Sequence, residues 1–230
     1  MHTCRPYGPV ALTLAASLTV VSTVALALAA TAGPVVAQEV GDTLLMNADR
    51  TYETAFRWAY GGQQPPDYGS IAECYEGRYD LTALVAAGTD IGCDAFYAVD
   101  FYIWEDDGGQ PGAVLCSLPD QALFFAFYPD YLENQVEIQG CTTPDSWWVG
   151  AWGQWVNTVP CIFFAVDLDG PGGCPMTKIA PGQGYPTGWQ PAGIVTELAG
   201  IRAFGIGARG TPADPVPVVR TSWGEIKSLY

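Results

Sequence analysis

The stretch AVDFYIWED, residues 98–106, alternates between two kinds of side chain with a period of two. Val99, Phe101 and Ile103 fall on one side of an extended chain, and the residues between them fall on the other. This pattern is typical of a β-strand with one buried face. The stretch therefore predicts a sheet that packs against a second layer.

Further segments of the chain extend this prediction. NQVEIQG places Val136 and Ile138 on one face, whereas CIFFAVDLD and QALFFAFYP are continuously apolar, as strands covered on both faces are. Turn sequences such as EDDGGQPG, YPDY and DGPGGCP separate these runs. The sequence therefore predicts an all-β fold, an antiparallel β-sandwich of jelly-roll or immunoglobulin-like topology.

The two ends of the chain differ from the middle. The charge-free run VALTLAASLTVVSTVALALAATAG at residues 10–33 predicts a secretory signal over residues 1–37, cleaved after Ala37, and it would contact a membrane only if uncut. The β-sandwich domain is predicted over residues 41–210. Residues 211–230 form a predicted Pro-rich linker and a short tail that either docks on the domain or is presented to a partner. The expected location is extracellular or at the cell surface.

Charge and composition exclude several classes of function. With 24 Asp and Glu against 9 Lys and Arg, the formal net charge is −15, which disfavours nucleic acid as a partner. The only histidine, His2, lies in the predicted signal, so the exported chain has no ordinary general base for a hydrolytic triad. No acid pair is singled out by its surroundings for glycoside hydrolysis. A non-enzymatic protein without a cofactor is expected.

The cysteines predict disulfide bonds. Six remain after export, an even number that in an exported chain indicates three disulfides, and no histidine is present to complete a zinc site. We favour the sequential pairing because each neighbouring pair brackets what looks like one hairpin or loop. The predicted pairs are Cys74 with Cys93, Cys116 with Cys141, and Cys161 with Cys174.

The segment SWWVGAWGQW contains four tryptophans in ten residues. In a strand, Trp148 and Trp152 share one face, and Trp155 lies on the other together with Trp147. One face then belongs to the core, while the opposite face either offers indoles that stack on sugar rings or is itself covered. The long Gly- and Pro-rich loop predicted at residues 173–193 adds Trp189 as a further binding residue.

The segment AVDLDGPGGC places two aspartates at the end of a predicted strand. Asp167 and Asp169 would point to the same side, and Asp106 and Asp107 could supply further oxygens for a calcium ion if the fold joins the two turns. Alternatively, the aspartates accept hydrogen bonds from nearby backbone amides in a turn. The sequence leaves both interpretations open.

Several segments taken together, including FYIWEDDGGQPGAVL, GCPMTKIAPGQGYPTGWQ and TSWGEIKSLY, resemble a group of uncharacterised secreted β-sandwich proteins of environmental bacteria. The resemblance implies export and a bacterial source, and it assigns no catalytic residues. Two hypotheses follow. The first is a non-enzymatic protein that binds a surface or extracellular partner. The second is a carbohydrate-binding module, or a glycoside-active protein, that uses the Trp-rich strand to bind a glycan.

Overall fold

The computed structural model describes residues 41–58, 68–92, 97–153 and 161–213. These residues form short and long strands with two single-turn 3-10 helices between them. In chain order the strands are β1 (Thr43–Met46), β2 (Thr54–Phe56), β3 (Ile71–Glu76), β4 (Tyr79–Asp90), β5 (Tyr97–Asp106), β6 (Pro111–Leu123) and β7 (Ala126–Phe127). They continue with β8 (Leu132–Thr142), β9 (Ser146–Trp152), β10 (Ile162–Asp167), β11 (Met176–Ile179), β12 (Gly188–Pro191), β13 (Ala203–Phe204) and β14 (Ile206–Pro212). The helices are η1 (Ala192–Ile194) and η2 (Thr196–Leu198).

The strands form two sheets. The first sheet follows the order β1-β14-β4-β10-β13, with β2 paired to β10 and with β7 and β8 paired to β4. The second sheet follows the order β12-β11-β3-β9-β5-β6. Within the described residues the pairings are antiparallel, apart from the two-residue parallel pairing of β7 with β4. The predicted all-β antiparallel sandwich is confirmed.

The core lies between the two sheets and follows the period-two pattern. Val99, Phe101 and Ile103 of β5 are fully buried in it, as the sequence predicts. The first sheet contributes Leu84 of β4 and Phe164 of β10 to the same cluster. A fully buried side chain of this size stabilises the fold by about 1.5–3 kcal/mol, so these alternating positions hold the sheets together.

A disulfide closes one side of the sandwich. Cys116 lies on β6 and Cys141 on β8, and the two cysteines are bonded as predicted. The side chain of Asn134 on β8 also bonds both backbone groups of Phe124, just after β6, at 2.8 Å and 2.7 Å. The disulfide joins β6 of the second sheet to β8 of the first, and Asn134 pairs the backbone groups of Phe124 where the chain leaves β6.

The prediction for QALFFAFYP is wrong. The strand β6 ends at Leu123, and the chain then turns into the two-residue strand β7. Phe124 and Phe127 are 60% and 65% exposed instead of covered on both faces. Of the three phenylalanines in the segment, only Phe125 packs against the core, where its ring lies over Gly88 of β4, and Leu123 at the end of β6 is buried in the core. The continuous apolar run does not distinguish a buried strand from a turn that exposes its aromatic residues.

The predicted loop at residues 173–193 is also wrong in part, because it contains the hairpin of β11 and β12. Met176 pairs with Pro191 and Ile179 with Gly188, and β11 joins the second sheet through β3. Strands of four residues separated by eight turn residues carry too little alternation to be recognised in the sequence. The hairpin brings Trp189 onto the sheet.

Some predictions fall outside the described residues. These are the signal at 1–37, most of the linker and tail at 211–230, Cys93 and Trp155. Among the residues that are described, none belongs to a helix of the length and apolar character that a membrane crossing needs.

Candidate functional site

Residues 146–152 of the Trp-rich segment form β9, in the interior of the second sheet, with the predicted alternation. Trp147, Val149 and Ala151 point into the core between the sheets and are buried. Trp148 and Trp152 therefore lie on the outer face, with Gly150 between them. The outer face of a sandwich sheet is commonly polar, so tryptophans there are the first unusual feature of this surface.

Neighbouring strands extend this feature into a cluster of aromatic side chains. Trp104 on β5 lies directly opposite Trp148, and Trp189 on β12 meets Trp104 edge to face with centroids 5.4 Å apart. Tyr102 stacks on Trp104 at the same centroid distance. We refer to Tyr102, Trp104, Trp148 and Trp189 as the outer aromatic cluster.

Gly150 makes this arrangement possible. A Cβ atom built at this position would lie 2.8 Å from Cζ3 of Trp104 and 2.1 Å from the carbonyl oxygen of Ile71. The indole of Trp104 therefore lies over the backbone of β9 where a side chain would otherwise stand. Ala72 and Met176 complete the apolar floor beside it.

The members of the cluster differ in exposure. Trp148 is 2% exposed and Trp104 is 4% exposed, and the indole of Trp148 donates a 2.7 Å hydrogen bond to Asp106. Trp148 is therefore a closed part of the cluster and presents no open ring face. Tyr102 and Trp189 are half-buried and form its accessible margin.

Trp152 and Lys178 flank the outer aromatic cluster. Trp152 is half-buried and donates to the carbonyl of Tyr68 at 3.2 Å. The ammonium of Lys178 lies 5.6 Å from the centroid of the Trp189 ring, within the range of a cation–π contact. These contacts orient both indoles without burying them fully.

The sequence leaves open whether Asp167 binds calcium or accepts hydrogen bonds in a turn. In the structure it accepts hydrogen bonds from backbone amides in a turn. The buried carboxylate of Asp167 accepts from the backbone amides of Asp169 and Gly170 through Oδ1, at 3.0 Å and 2.7 Å. Its Oδ2 accepts from the amide of Asp49 at 2.8 Å. A Cβ at Gly170 would lie 2.2 Å from Oδ2, so glycine lets the chain fold closely over the carboxylate.

The residue that approaches Asp167 and Asp169 is Asp49, and not the predicted Asp106 and Asp107. Within the described residues, the carboxylates of Asp49, Asp167 and Asp169 form a group with one oxygen from each inside 4.8 Å. Asp106 instead caps the β5–β6 turn at Gly109 and binds Trp148 on the second sheet. A calcium ion needs six to eight oxygen ligands, and the lone pairs of Asp167 already accept three amides. This geometry favours the turn over a metal site.

We expect Asp167→Ala to lower the free energy of unfolding by about 3 kcal/mol or more, because three amides lose their acceptor at a buried position. Asp167→Asn should cost less, since an amide oxygen can replace Oδ1. Thermal melts of both variants test this result, with Asp169→Asn as a surface control. The turn interpretation also predicts the same wild-type melting temperature with calcium as with a chelator. A rise in the melting temperature with calcium that Asp167→Asn removes would contradict it.

Glu73 lies beneath this turn and was missed by the sequence analysis. It shares the inward face of β3 with Ile71 and Tyr75, and its carboxylate is fully buried. Oε1 accepts from the amide of Phe204 at 2.6 Å, and Oε2 accepts from the side-chain amide of Asn47 at 2.8 Å. The alternation in IAECYE places Glu73 on the buried face, but nothing in the sequence identifies its partners.

Burial is the largest cause of the shift in the pKa of Glu73. Loss of hydration raises its pKa to about 8, and the nearby charge of Asp167 acts in the same direction. The hydrogen bonds from Asn47, Phe204 and Cys174 oppose this shift without reversing it. Because the side chain is 0% exposed, the carboxyl is not placed to contact a substrate.

The second disulfide differs from the predicted pairing. Cys74 of β3 is bonded to Cys174, 100 residues later, just before β11. The predicted pairs Cys74 with Cys93 and Cys161 with Cys174 are therefore wrong. Cys161 is also disulfide-bonded. The sheet order explains the difference, because β11 returns to lie beside β3 and brings two distant cysteines together.

Comparison with known proteins supplies no further assignment, since the chain matches no protein-family model, no curated protein and no solved structure. The fold and the arrangement of side chains are therefore the basis for any functional conclusion. The disulfides fit an extracellular protein.

Proposed function

We propose that this protein is a non-enzymatic binding protein that acts outside the cell, on a cell surface or in an extracellular assembly. The observation that supports the proposal is the outer aromatic cluster, which places four large rings on the face of the second sheet that points away from the core. Its accessible margin, with Trp152 beside it, is the proposed contact surface. Large aromatic side chains provide much of the binding energy at protein surfaces.

Two features that fit an exported protein support the same proposal. The disulfides fit an oxidising compartment, and the N-terminal apolar run is typical of a secretory signal. The strong negative charge disfavours anionic surfaces and nucleic acids as partners. A surface protein or an uncharged glycan suits this chain better.

A carbohydrate-binding module is the second proposed function. Half-buried indoles such as Trp152 and Trp189 have flat apolar surface of the kind that stacks on a sugar ring. Polar groups stand close by, because Asp100 lies opposite Trp152 and its Oδ2 is 3.4 Å from the hydroxyl of Tyr102. Within this second proposal the protein is a binding module, and glycosidase activity is the less favoured form.

We expect the labelled, exported chain to be retained saturably either on a glycan array or on intact bacterial cells. Retention on defined glycans, with competition by the free sugar, would support the carbohydrate-binding module. Retention on cells that survives removal of surface glycans would support a protein partner. Absence of saturable retention on both, for a chain with its disulfides intact, would contradict the proposed function.

A further inference from the structure

A cleft lies near the start of β4, next to the point at which the chain leaves β14. Its volume is about 510 Å³, and residues from both sheets and their connections line it. The backbone amide of Ala213, just after β14, donates to the carbonyl of Arg78 at 2.9 Å. The chain beyond Ala213 therefore starts at the wall of this cleft. The lining residues used below are Arg78, Glu105, Leu115, Thr143, Pro144 and Asp145.

We propose that residues 214–220, DPVPVVR, dock in this cleft. The sequence predicts either docking or presentation for the tail, and this contact assigns docking to its first part. The cleft is a surface other than the outer aromatic cluster. The contact therefore stands or fails independently of the proposed function.

The cleft has an apolar part that is continuous with the core. Leu115 on β6 is half-buried and packs against the core between the sheets. The half-buried side chain of Pro144 lines the same cleft. An apolar side chain that enters the cleft would extend the core, and its removal from water would stabilise the contact. The first valines that the chain brings to this place are Val216 and Val218.

The sequence of the segment provides a face that suits the cleft. Its two prolines favour an extended backbone at their own positions and at the residues before them. In an extended chain the side chains two positions apart share a face. One face then carries, in order, an acid, two apolar side chains and a base. The residues on that face are Asp214, Val216, Val218 and Arg220.

The charges of the cleft complement this face. Arg78 lines the wall at which the chain leaves β14, and Asp214 carries the first charge beyond that point. Glu105 and Asp145 are exposed acids on the same cleft, and they attract the cation of Arg220. The segment thus offers an acid to the base of the cleft and a base to its acids.

Hydrogen bonds hold one wall of the cleft in place. The amide of Gly77 donates to the carbonyl of Asp145 at 2.6 Å, and the amide of Thr143 donates to the carbonyl of Tyr79 at 2.9 Å. The hydroxyl of Thr143 accepts from the amide of Tyr79 at 2.9 Å. Because this wall is formed in advance and the segment is tethered beside it, docking loses little translational freedom.

Chemical cross-linking in the full exported chain tests the contact. Arg220→Lys keeps the positive charge and supplies an amine, and a carbodiimide joins an amine to a carboxylate that it contacts. The reagent activates the carboxylate, the amine attacks the activated carbon, and an amide bond forms as the reagent leaves as a urea. We expect the amine at position 220 to link mainly to Glu105 or Asp145 of the same chain. Peptide mapping by mass spectrometry identifies the linked residues.

The two faces of the segment provide the matched control. In the Arg220→Lys chain, Val218→Ser should lower the yield of this link by about fivefold or more, because an apolar side chain is lost from the cleft. Val219→Ser makes the same change on the opposite face and should leave the yield unchanged. Both positions lie beyond β14, and equal melting temperatures establish that the domain is folded in each variant.

Four results would overturn the proposal. These are absence of a link from position 220, links spread evenly over many acids, links that form only between two copies, and equal yields in Val218→Ser and Val219→Ser. A dominant link to Asp130 would instead place the segment beside the exposed Phe127 and Tyr128, and would equally contradict docking in the cleft.

Discussion

Replacing Cys74 and Cys174 by alanine should lower the free energy of unfolding by about 4.7 kcal/mol, against about 3.5 kcal/mol for Cys116 and Cys141. The difference arises because a disulfide restricts the unfolded chain more when it closes a longer loop. The two sequence separations are 100 and 25 residues. Urea unfolding of the wild type and of the two double-alanine variants measures the free energy of unfolding that each variant loses.

The Cys116–Cys141 variant is the matched control, since it also loses two half-buried or buried sulfur atoms. A larger loss for that pair, or a negligible loss for the Cys74–Cys174 pair, would contradict the account. The latter result would mean that β3 and the segment before β11 remain together without the bond. The backbone pairing of β3 with β11 extends over only two residue pairs, which makes that result unexpected.

The stability of the protein should fall as the pH rises from about 4.5 to about 8. The folded state raises the pKa of Glu73 from its ordinary value of 4.5 to about 8, so between these values the folded protein holds a proton that the unfolded chain has released. The stabilisation is complete below pH 4.5 and is lost as the pH approaches 8. With about 1.4 kcal/mol for each pKa unit, the total change is on the order of 5 kcal/mol.

The neutral range is favourable for this test. The only histidine of the chain is His2, outside the predicted domain, so no histidine of the domain titrates between these pH values. Arg50 lowers the pKa of Glu133, and the stability from that pair is lost only as the pH falls through values below the ordinary 4.5. The change in stability from Glu73 therefore occurs between about pH 4.5 and 8, and the change from the Arg50–Glu133 pair occurs below pH 4.5.

Denaturant unfolding at pH 5, 6, 7 and 8 measures how the free energy of unfolding changes with pH. We refer to this change as the pH slope. Glu73→Gln should remove it, because a glutamine does not titrate, although the variant is less stable at pH 5 through its altered hydrogen bonds. Glu76→Gln changes an exposed acid on the same strand and should keep the slope. A wild-type stability that is flat or rising across this range would contradict the buried position of Glu73.

The strands of the core could be predicted from the sequence because alternation is a local property. Val99, Phe101 and Ile103 follow it closely, and so do Trp147 and Val149. The same alternation in β3 identifies Glu73 as an inward residue. It does not identify Phe204 or Asn47 as partners, because these lie far along the chain and meet Glu73 only through the sheet order.

Contacts across long sequence distances account for the other differences. The bond between Cys74 and Cys174, and the approach of Asp49 to Asp167, both depend on which strands become neighbours. The burial of Trp148 on an outer face depends on Trp104 and on the unrecognised hairpin of β11 and β12. A period-two pattern defines two faces of a strand, but it does not say what covers the outer one.

The central claim is that the margin of the outer aromatic cluster, with Trp152, is the binding surface. The most direct test is the affinity of Trp152→Ala and Trp189→Ala for the glycan or cell surface that retains the wild type, with Phe127→Ala as an exposed aromatic control on the first sheet. The account predicts a loss of about tenfold or more in each tryptophan variant and none in the control. Wild-type affinity in both folded tryptophan variants, or an equal loss in Phe127→Ala, would contradict it.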